Sequence, residues 1–153
     1  MQIDMADQNF DADAAVLAVL HAAFAGMNGR IDPPSSLDGM GVADITRKRQ
    51  VEILLTARDD TRIVGCVFLA PHADHVYLGK LAVLPDLHGR GIGRQLVQAA
   101  IAAAPHPVIR LQTRVELVEN HATFARLGFV EIARTAHPGY TRPTSITMQR
   151  NAG

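Results

Sequence analysis

The chain has no tryptophan, a single cysteine and no net charge at neutral pH, and each shortage closes off a class of function. With Cys66 alone, neither an internal disulfide framework nor a multi-cysteine zinc site can be built. Cys66 sits in the apolar run Ile63, Val64, Cys66, Val67, Phe68, Leu69, so a buried structural thiol is expected, with a catalytic nucleophile as the minor alternative. Lys+Arg and Asp+Glu stand at 15 each, which leaves no global field to draw the chain to nucleic acid or to an anionic membrane. The five Phe and two Tyr are scattered and form no basic patch with interleaved rings. No stretch reaches the ~18 apolar residues of a membrane span, and the first residues lack a basic region followed by a long apolar run. A cytoplasmic protein is expected, with neither nucleic acid nor membrane as its partner.

What is present is ordinary for a folded chain. At 153 residues, 48% hydrophobic and 20% charged, it is expected to form one domain over residues 1–153 around one core. Thirteen of the 15 basic residues are Arg, the side chain better suited to bidentate phosphate contacts; alone this proves nothing.

The stretch from Val76 to Ala104 organises the rest. An apolar run (Val76, Leu78, Leu81, Ala82, Val83, Leu84) meets Pro85, a polar turn follows, and Ile92, Leu96, Val97, Ala100 and Ile101 then form one helical stripe. It reads as strand, turn, helix. Glycines at 89, 91 and 93 let the backbone approach a ligand closely, and the free N–H groups that open the helix point into that space. Such an end carries about half a positive charge, so an anion fits there, a pyrophosphate above all. The spacing G-x-G-x-G is not the dinucleotide fingerprint, and Arg94-Gln95 after Gly93 is not a Walker A ending.

The segment His88-Gly89-Arg90-Gly91-Ile92-Gly93, preceded by Leu81-Ala82-Val83-Leu84-Pro85, resembles the acyl-CoA loop of the GNAT acetyltransferases, departing from it at His88, where Arg or Gln is usual. Downstream, Glu119-Asn120-His121-Ala122-Thr123-Phe124-Ala125-Arg126-Leu127-Gly128-Phe129 is similar to the family's second cofactor segment, which ends Leu-Gly-Phe. The likeness runs from about Val51 to Met148; the first 50 residues match only in pattern. It implies an α/β (α+β) fold: a mixed, mostly antiparallel sheet of six to seven strands, about four flanking helices, and strands four and five splayed apart. It implies acetyl-CoA as co-substrate and no metal. The pyrophosphate would sit on the turn from His88 to Arg94, pantetheine along the backbone of Leu81, Ala82 and Val83, and the thiol end beside Asn120 and Phe124. Arg90 and Arg94 either reach phosphates or are solvated, and Asn120 either flanks the cofactor or merely caps its helix. A homodimer through late strands stays open.

The rest of the chain can be placed around this unit. A weak strand over Met1 to Met5 is followed by a helix from Asp11 to Phe24, capped by Asp11 or Asp13. Gly26 to Pro34 reads as loop, and Ser35 or Ser36 caps a helical piece with Asp38 in its first turn, interrupted at Gly39 and Gly41 and resumed to Arg49. In the resembling family this region walls the acceptor site, so Arg30, Asp32 and Ser35 are candidate acceptor contacts; turn chemistry is the plain alternative. Val51 to Ala57 and Arg62 to Ala70 form a hairpin at Asp59-Asp60, and Gly79 suggests a bulge in the central strand. Val108 to Gln112, Phe129 to Thr135 and Thr144 to Met148 complete the sheet.

The activity implied is transfer of an acetyl group to a primary amine of a small molecule or peptide, by direct attack in a ternary complex. Many relatives carry a Tyr at the position of Phe124 to protonate the leaving thiolate, and Phe has no hydroxyl. His121, one helical turn earlier, and Tyr140 are the candidate catalytic replacements, with His137 a third. For the general base, Tyr77, Lys80, Glu52, Asp74, His75 and Glu116 all remain open. The alternative is a module of the same fold that senses acyl-CoA without turnover.

Overall fold

The structure is a computed structural model that describes residues 1–35 and 37–151, so the proposed cap Ser36 lies outside it, as does the side chain of Asp38. In chain order its elements are β1 (Gln2–Met5), α1 (Asp13–Met27), a 3-10 turn at Leu37–Gly39, α2 (Val42–Val51), β2 (Ile53–Asp59) and β3 (Arg62–Pro71). There follow β4 (Val76–Val83), a 3-10 turn at Pro85–Leu87, α3 (Ile92–Ala103), β5 (Val108–Arg114), α4 (Val118–Arg126), β6 (Val130–Thr135) and β7 (Ser145–Asn151). The strands form a seven-stranded sheet in the order β1-β2-β3-β4-β5-β7-β6, in which only β4 and β5 run parallel. This is the expected fold.

Both faces of the central strands are covered, as their apolar runs require. On one side α3 lays Ile92, Leu96, Val97 and Ala100 against Val64, Val67 and Leu78. On the other, Val16, Val19 and Leu20 of α1 and Ile45 of α2 pack against Leu54, Phe68 and Ala82. Each fully buried aliphatic side chain contributes about 1.5–3 kcal/mol. The approach of α3 depends on Gly65: a Cβ there would lie 2.9 Å from Leu96 Cδ1 and 3.1 Å from the Ala82 carbonyl oxygen, which is backbone and cannot swing aside. Gly65→Ala is therefore expected to destabilise the protein by about 1–3 kcal/mol, read as a lower urea midpoint at unchanged slope.

Several element ends differ from the expectation. Neither Asp11 nor Asp13 caps α1; Ala12 holds that position, and Asp13 lies in the first turn. There it accepts from Arg49 Nε at 2.6 Å and from Thr46 Oγ1 at 2.7 Å, tying α1 to α2. The Arg49 hydrogen bond, helped by Thr46, holds its carboxyl below the usual range. Val51 belongs to α2 rather than to the next strand, and α2 is capped by Gly41, whose N–H donates to Asp44 Oδ2 at 2.7 Å.

The bulge in β4 falls one residue later than Gly79. Cys66 pairs with Ala82 and Phe68 with Gly79, so Lys80 and Leu81 together face Val67, and Lys80 takes φ 54°. The buried Cys66 thiol, its pKa pushed up to about 12 by desolvation, donates to the Lys80 carbonyl at 3.6 Å. It is a structural thiol. Before the bulge, β4 pairs with β5 at Val76↔Ile109 and Tyr77↔Arg110; after it the two strands part. A bulge bends its strand and sharpens the local twist, which gives the split a local cause.

Candidate active site

The turn into α3 is built to expose its backbone. Gly89 (φ 81°) and Gly91 (φ 78°) take the left-handed conformation, Gly91 as the N-cap, and nothing lies within 4 Å of where either Cβ would be. Gly93 is different, because it is helical and its Cβ would make only ordinary contact with Val83, at 3.8 Å. The first intrahelical bond is Gln95 N–H to Gly91 C=O at 3.0 Å, so the N–H groups of Ile92, Gly93 and Arg94 lie before it. Among the described residues, those of Gly89, Arg90 and Gly91 have no acceptor either. Six consecutive donors thus head a helix whose dipole favours an anion.

From this turn a cavity of about 640 Å³ runs past Ala82 and Val83 of β4 to the face of α4 that carries Asn120, Thr123 and Phe124. Leu84 N–H donates to Val64 C=O on the β3 side, so strand alternation turns the N–H and C=O of Val83 towards the split. His88, the departure from the family pattern, lines this cavity and uses its ring to secure the turn: Nε2–H donates to the Val83 carbonyl at 3.0 Å. Arg94 lines the cavity and Arg90 does not. A second cavity, of about 250 Å³, opens through the split on the side of β5. The two share Met27, Leu81, Leu117, Asn120 and Phe124 as walls. They meet where the strands part.

Of the sequence-derived candidates, those of the glycine turn, β4 and α4 are brought together. Asn120 is inside the first turn of α4 rather than its cap, which is Leu117. Phe124 is buried and packs edge-on to Phe129, with centroids 5.9 Å apart. The two expected catalytic side chains do not reach the junction. His121 donates from Nε2 to the Arg114 carbonyl at 2.8 Å, and Tyr140 donates its hydroxyl to Asp32 Oδ1 at 2.6 Å; neither lines either of these two cavities.

The candidate acceptor contacts divide in the same way. Ser35 lines the smaller cavity, its N–H fixed by Asn28 Oδ1 at 2.9 Å. Arg30 lines the larger one, where it donates from a terminal nitrogen to Glu119 Oε2 at 2.9 Å. That guanidinium, with the Glu119 backbone N–H, draws the Glu119 carboxyl down to about 2. Asp32 lines neither; Tyr140 and Arg142, the latter at 3.0 Å, hold its carboxylate, and its N–H donates to Glu116 Oε2 at 3.1 Å. Glu52 is tied to Lys48 and Asp74 to His75, both at 2.7 Å, while Glu116 accepts at Oε2 and has its Oε1 buried without a partner among the described residues; none of the three lines either cavity.

His137 does line the smaller cavity. Its N–H donates to Thr144 Oγ1 at 2.9 Å, its Nδ1 faces the same oxygen, and that oxygen lies 3.4 Å from the Thr135 carbonyl. With Nδ1 turned to Thr144, Nε2 is the ring nitrogen without a protein partner among the described residues. Tyr77, in the same wall, keeps its proton because burial pushes its hydroxyl up. Sequence reasoning missed Arg114 and Thr113 in this wall; only the divergence of β5 from β4 exposes them.

Comparison with known proteins agrees with this architecture. The sequence profile described as Acetyltransferase (GNAT) family matches residues 22–129. A mycothiol acetyltransferase of Rhodococcus opacus (strain B4) is 40% identical over 75 residues, 48% of this chain and 24% of that protein. The match therefore spans about a quarter of the curated relative. Among solved structures, the ribosomal-protein-S18-alanine N-acetyltransferase of Escherichia coli superposes with a TM-score of 0.76 at 17% identity, covering 99% of this chain and 94% of that one. PaiA N-acetyltransferase of Thermoplasma acidophilum, solved in complex with coenzyme A, gives 0.77 at 15% identity, covering 99% of both. At such identities the superpositions speak for the fold, while the profile spans more than two thirds of the sequence; the chain belongs to the acetyltransferase (GNAT) family.

Proposed function

We propose that residues 1–153 act as one catalytic domain that moves an acetyl group from acetyl-CoA to the primary amine of a small molecule or peptide, by direct attack within a ternary complex. The observation that carries this reading is the run of bare N–H groups at the head of the larger cavity, which leads along β4 to the narrower one. The diphosphate of coenzyme A would rest on residues 88–94. Pantetheine would pair with the open edge at Val83, and the sulfur would lie between Leu81, Asn120 and Phe124. A backbone N–H between Leu81 and Val83 is the donor for the oxyanion.

The acceptor comes through the smaller cavity with its nitrogen unprotonated and attacks the thioester carbonyl. As the C–N bond forms and the C–S bond breaks, the electron pair departs on sulfur, and the surplus amine proton passes to His137 Nε2. Asn120 takes over part of the task left vacant by Phe124, donating its side-chain amide to the departing sulfur. The thiolate then gains its proton from solvent. A cytoplasmic setting, where acetyl-CoA and amines meet, belongs to the same reading.

A sensing module without turnover is the second reading, favoured by Phe124 and by the engagement of His121 and Tyr140 elsewhere. Release of CoA thiol separates the two. Calorimetry should detect acetyl-CoA binding, and a panel of amines and peptides should include acceptors that release thiol in step with acetylated product. Binding without transfer to any of them would install the sensor in place of the enzyme. No binding at all would remove both.

A further inference from the structure

Building on the transferase reading, we propose that the acceptor is a compact amine bearing a carboxylate and an apolar body, an amino acid in chemical class, whose anionic end is drawn to Arg114 and Lys80. Among the described residues, none of those lining the smaller cavity is Asp or Glu, whereas Lys80, Arg114 and His137 all do line it. Polyamines and aminosugars would bring more positive charge into a space that already has an excess of it.

The nearby acids stand outside the cavity: Glu116 accepts the Asp32 N–H at Oε2, has its Oε1 buried without a partner among the described residues, and does not line the cavity. Asp32, which senses the charge of Arg114, is held by the Tyr140 hydroxyl and by Arg142. Arg114 itself donates once, to the Pro33 carbonyl at 2.6 Å, and its guanidinium has further donors to offer. Glu52, near Lys80, is paired with Lys48. Lys80 makes no ion pair among the described residues; its Nζ lies 6.0 Å from the centroid of the Phe24 ring, another wall of the cavity. Burial, and after it the charge of Lys48, lowers the Lys80 pKa, which marks an ammonium short of a counter-ion.

A second observation stands apart from charge. Thr113 lines the cavity at 7% exposure, and its Oγ1 is buried with no hydrogen-bond partner. An unmatched buried hydroxyl is uncommon, and a carboxylate oxygen is a natural acceptor for it. Phe24, Met27, Ile31, Leu78 and Leu111 provide the apolar remainder, and about 250 Å³ suits a molecule of amino-acid size better than an oligosaccharide.

The test uses matched probes. For transfer, kcat/KM is measured with L-leucine against L-leucinamide and L-phenylalanine against phenylalaninamide, with spermidine as the polycation. For binding, CoA-loaded protein is titrated with N-acetyl-L-leucine and with its amide. The carboxylate is expected to win by at least tenfold in both formats. Arg114→Gln and Lys80→Gln should each pull the ratio towards one, while the affinity for CoA, whose cavity neither residue lines, confirms that the variants fold. Amides equal to or better than acids, spermidine as the best acceptor, or no binding of either N-acetyl probe would overturn the proposal. If no amine is acetylated yet the N-acetyl acid still outbinds its amide, the transferase reading fails and the anion site stands.

Discussion

Gly91→Glu is expected to weaken acetyl-CoA binding at least 100-fold and to abolish transfer with it. Gly91 sits at φ 78° as the N-cap of α3, with open space where a side chain would emerge. Two effects of different size follow from the substitution. Forcing an L-residue into the left-handed region costs about 1–2 kcal/mol, which the fold can absorb. A carboxylate at the mouth of an anion site, with a side chain between the donors and the diphosphate, costs several kcal/mol in binding, and each 1.4 kcal/mol is about tenfold.

Two further variants apportion the effect. Gly91→Ala carries the strain without the charge and should lose stability with a smaller loss of affinity. Gly93→Ala separates them in the other direction. Its new Cβ meets only Val83, at 3.8 Å, in a helical turn where Ala is preferred to Gly by about 1 kcal/mol, so Tm should rise while the affinity for acetyl-CoA falls. Calorimetry and thermal melts on the same samples read both quantities. A Gly91→Glu protein that is folded and binds acetyl-CoA as the parent does would remove the diphosphate from residues 88–94.

His137→Gln should lower kcat by about 100-fold or more at neutral pH and leave the KM for acetyl-CoA near its parent value, since a positioned general base contributes about 10²–10⁴-fold. Thr144→Val removes the oxygen that two nitrogens of His137 share, leaving the ring free to turn, and should give an intermediate loss of kcat. A His137→Gln enzyme with parental kcat would transfer the role to another group.

Local patterns in the sequence carried a large part of this. The strand, the turn with Gly89 and Gly91, and the apolar stripe of α3 are written in consecutive residues, because a positive φ and a helical period are properties of short segments. The larger cavity is lined chiefly by two such segments, so its residues were legible in advance. The bulge was nearly so: Gly79 drew attention to the region, yet Lys80 took the left-handed position, because pairing with β3 sets where the extra residue goes. His121 and Tyr140 show where short-range reasoning stops. Each has suitable chemistry at a suitable distance along the chain, and each was claimed by another partner, His121 by the Arg114 carbonyl and Tyr140 by the Asp32 carboxylate.

By itself the order of residues carried the resemblance to the family through two motifs, and it determined the covered centre of the sheet and the turn that offers N–H groups to an anion, since these follow from periodicity and glycine placement within a few residues. Only the tertiary structure decided which histidine lines the smaller cavity, that Arg30 belongs to the larger one, and that Lys80, Arg114 and Thr113 line one wall together. Those facts arise from the parting of β4 and β5 and from contacts between the segment after α1, α4 and the segment before β7, residues dozens of positions apart whose meeting no local rule encodes.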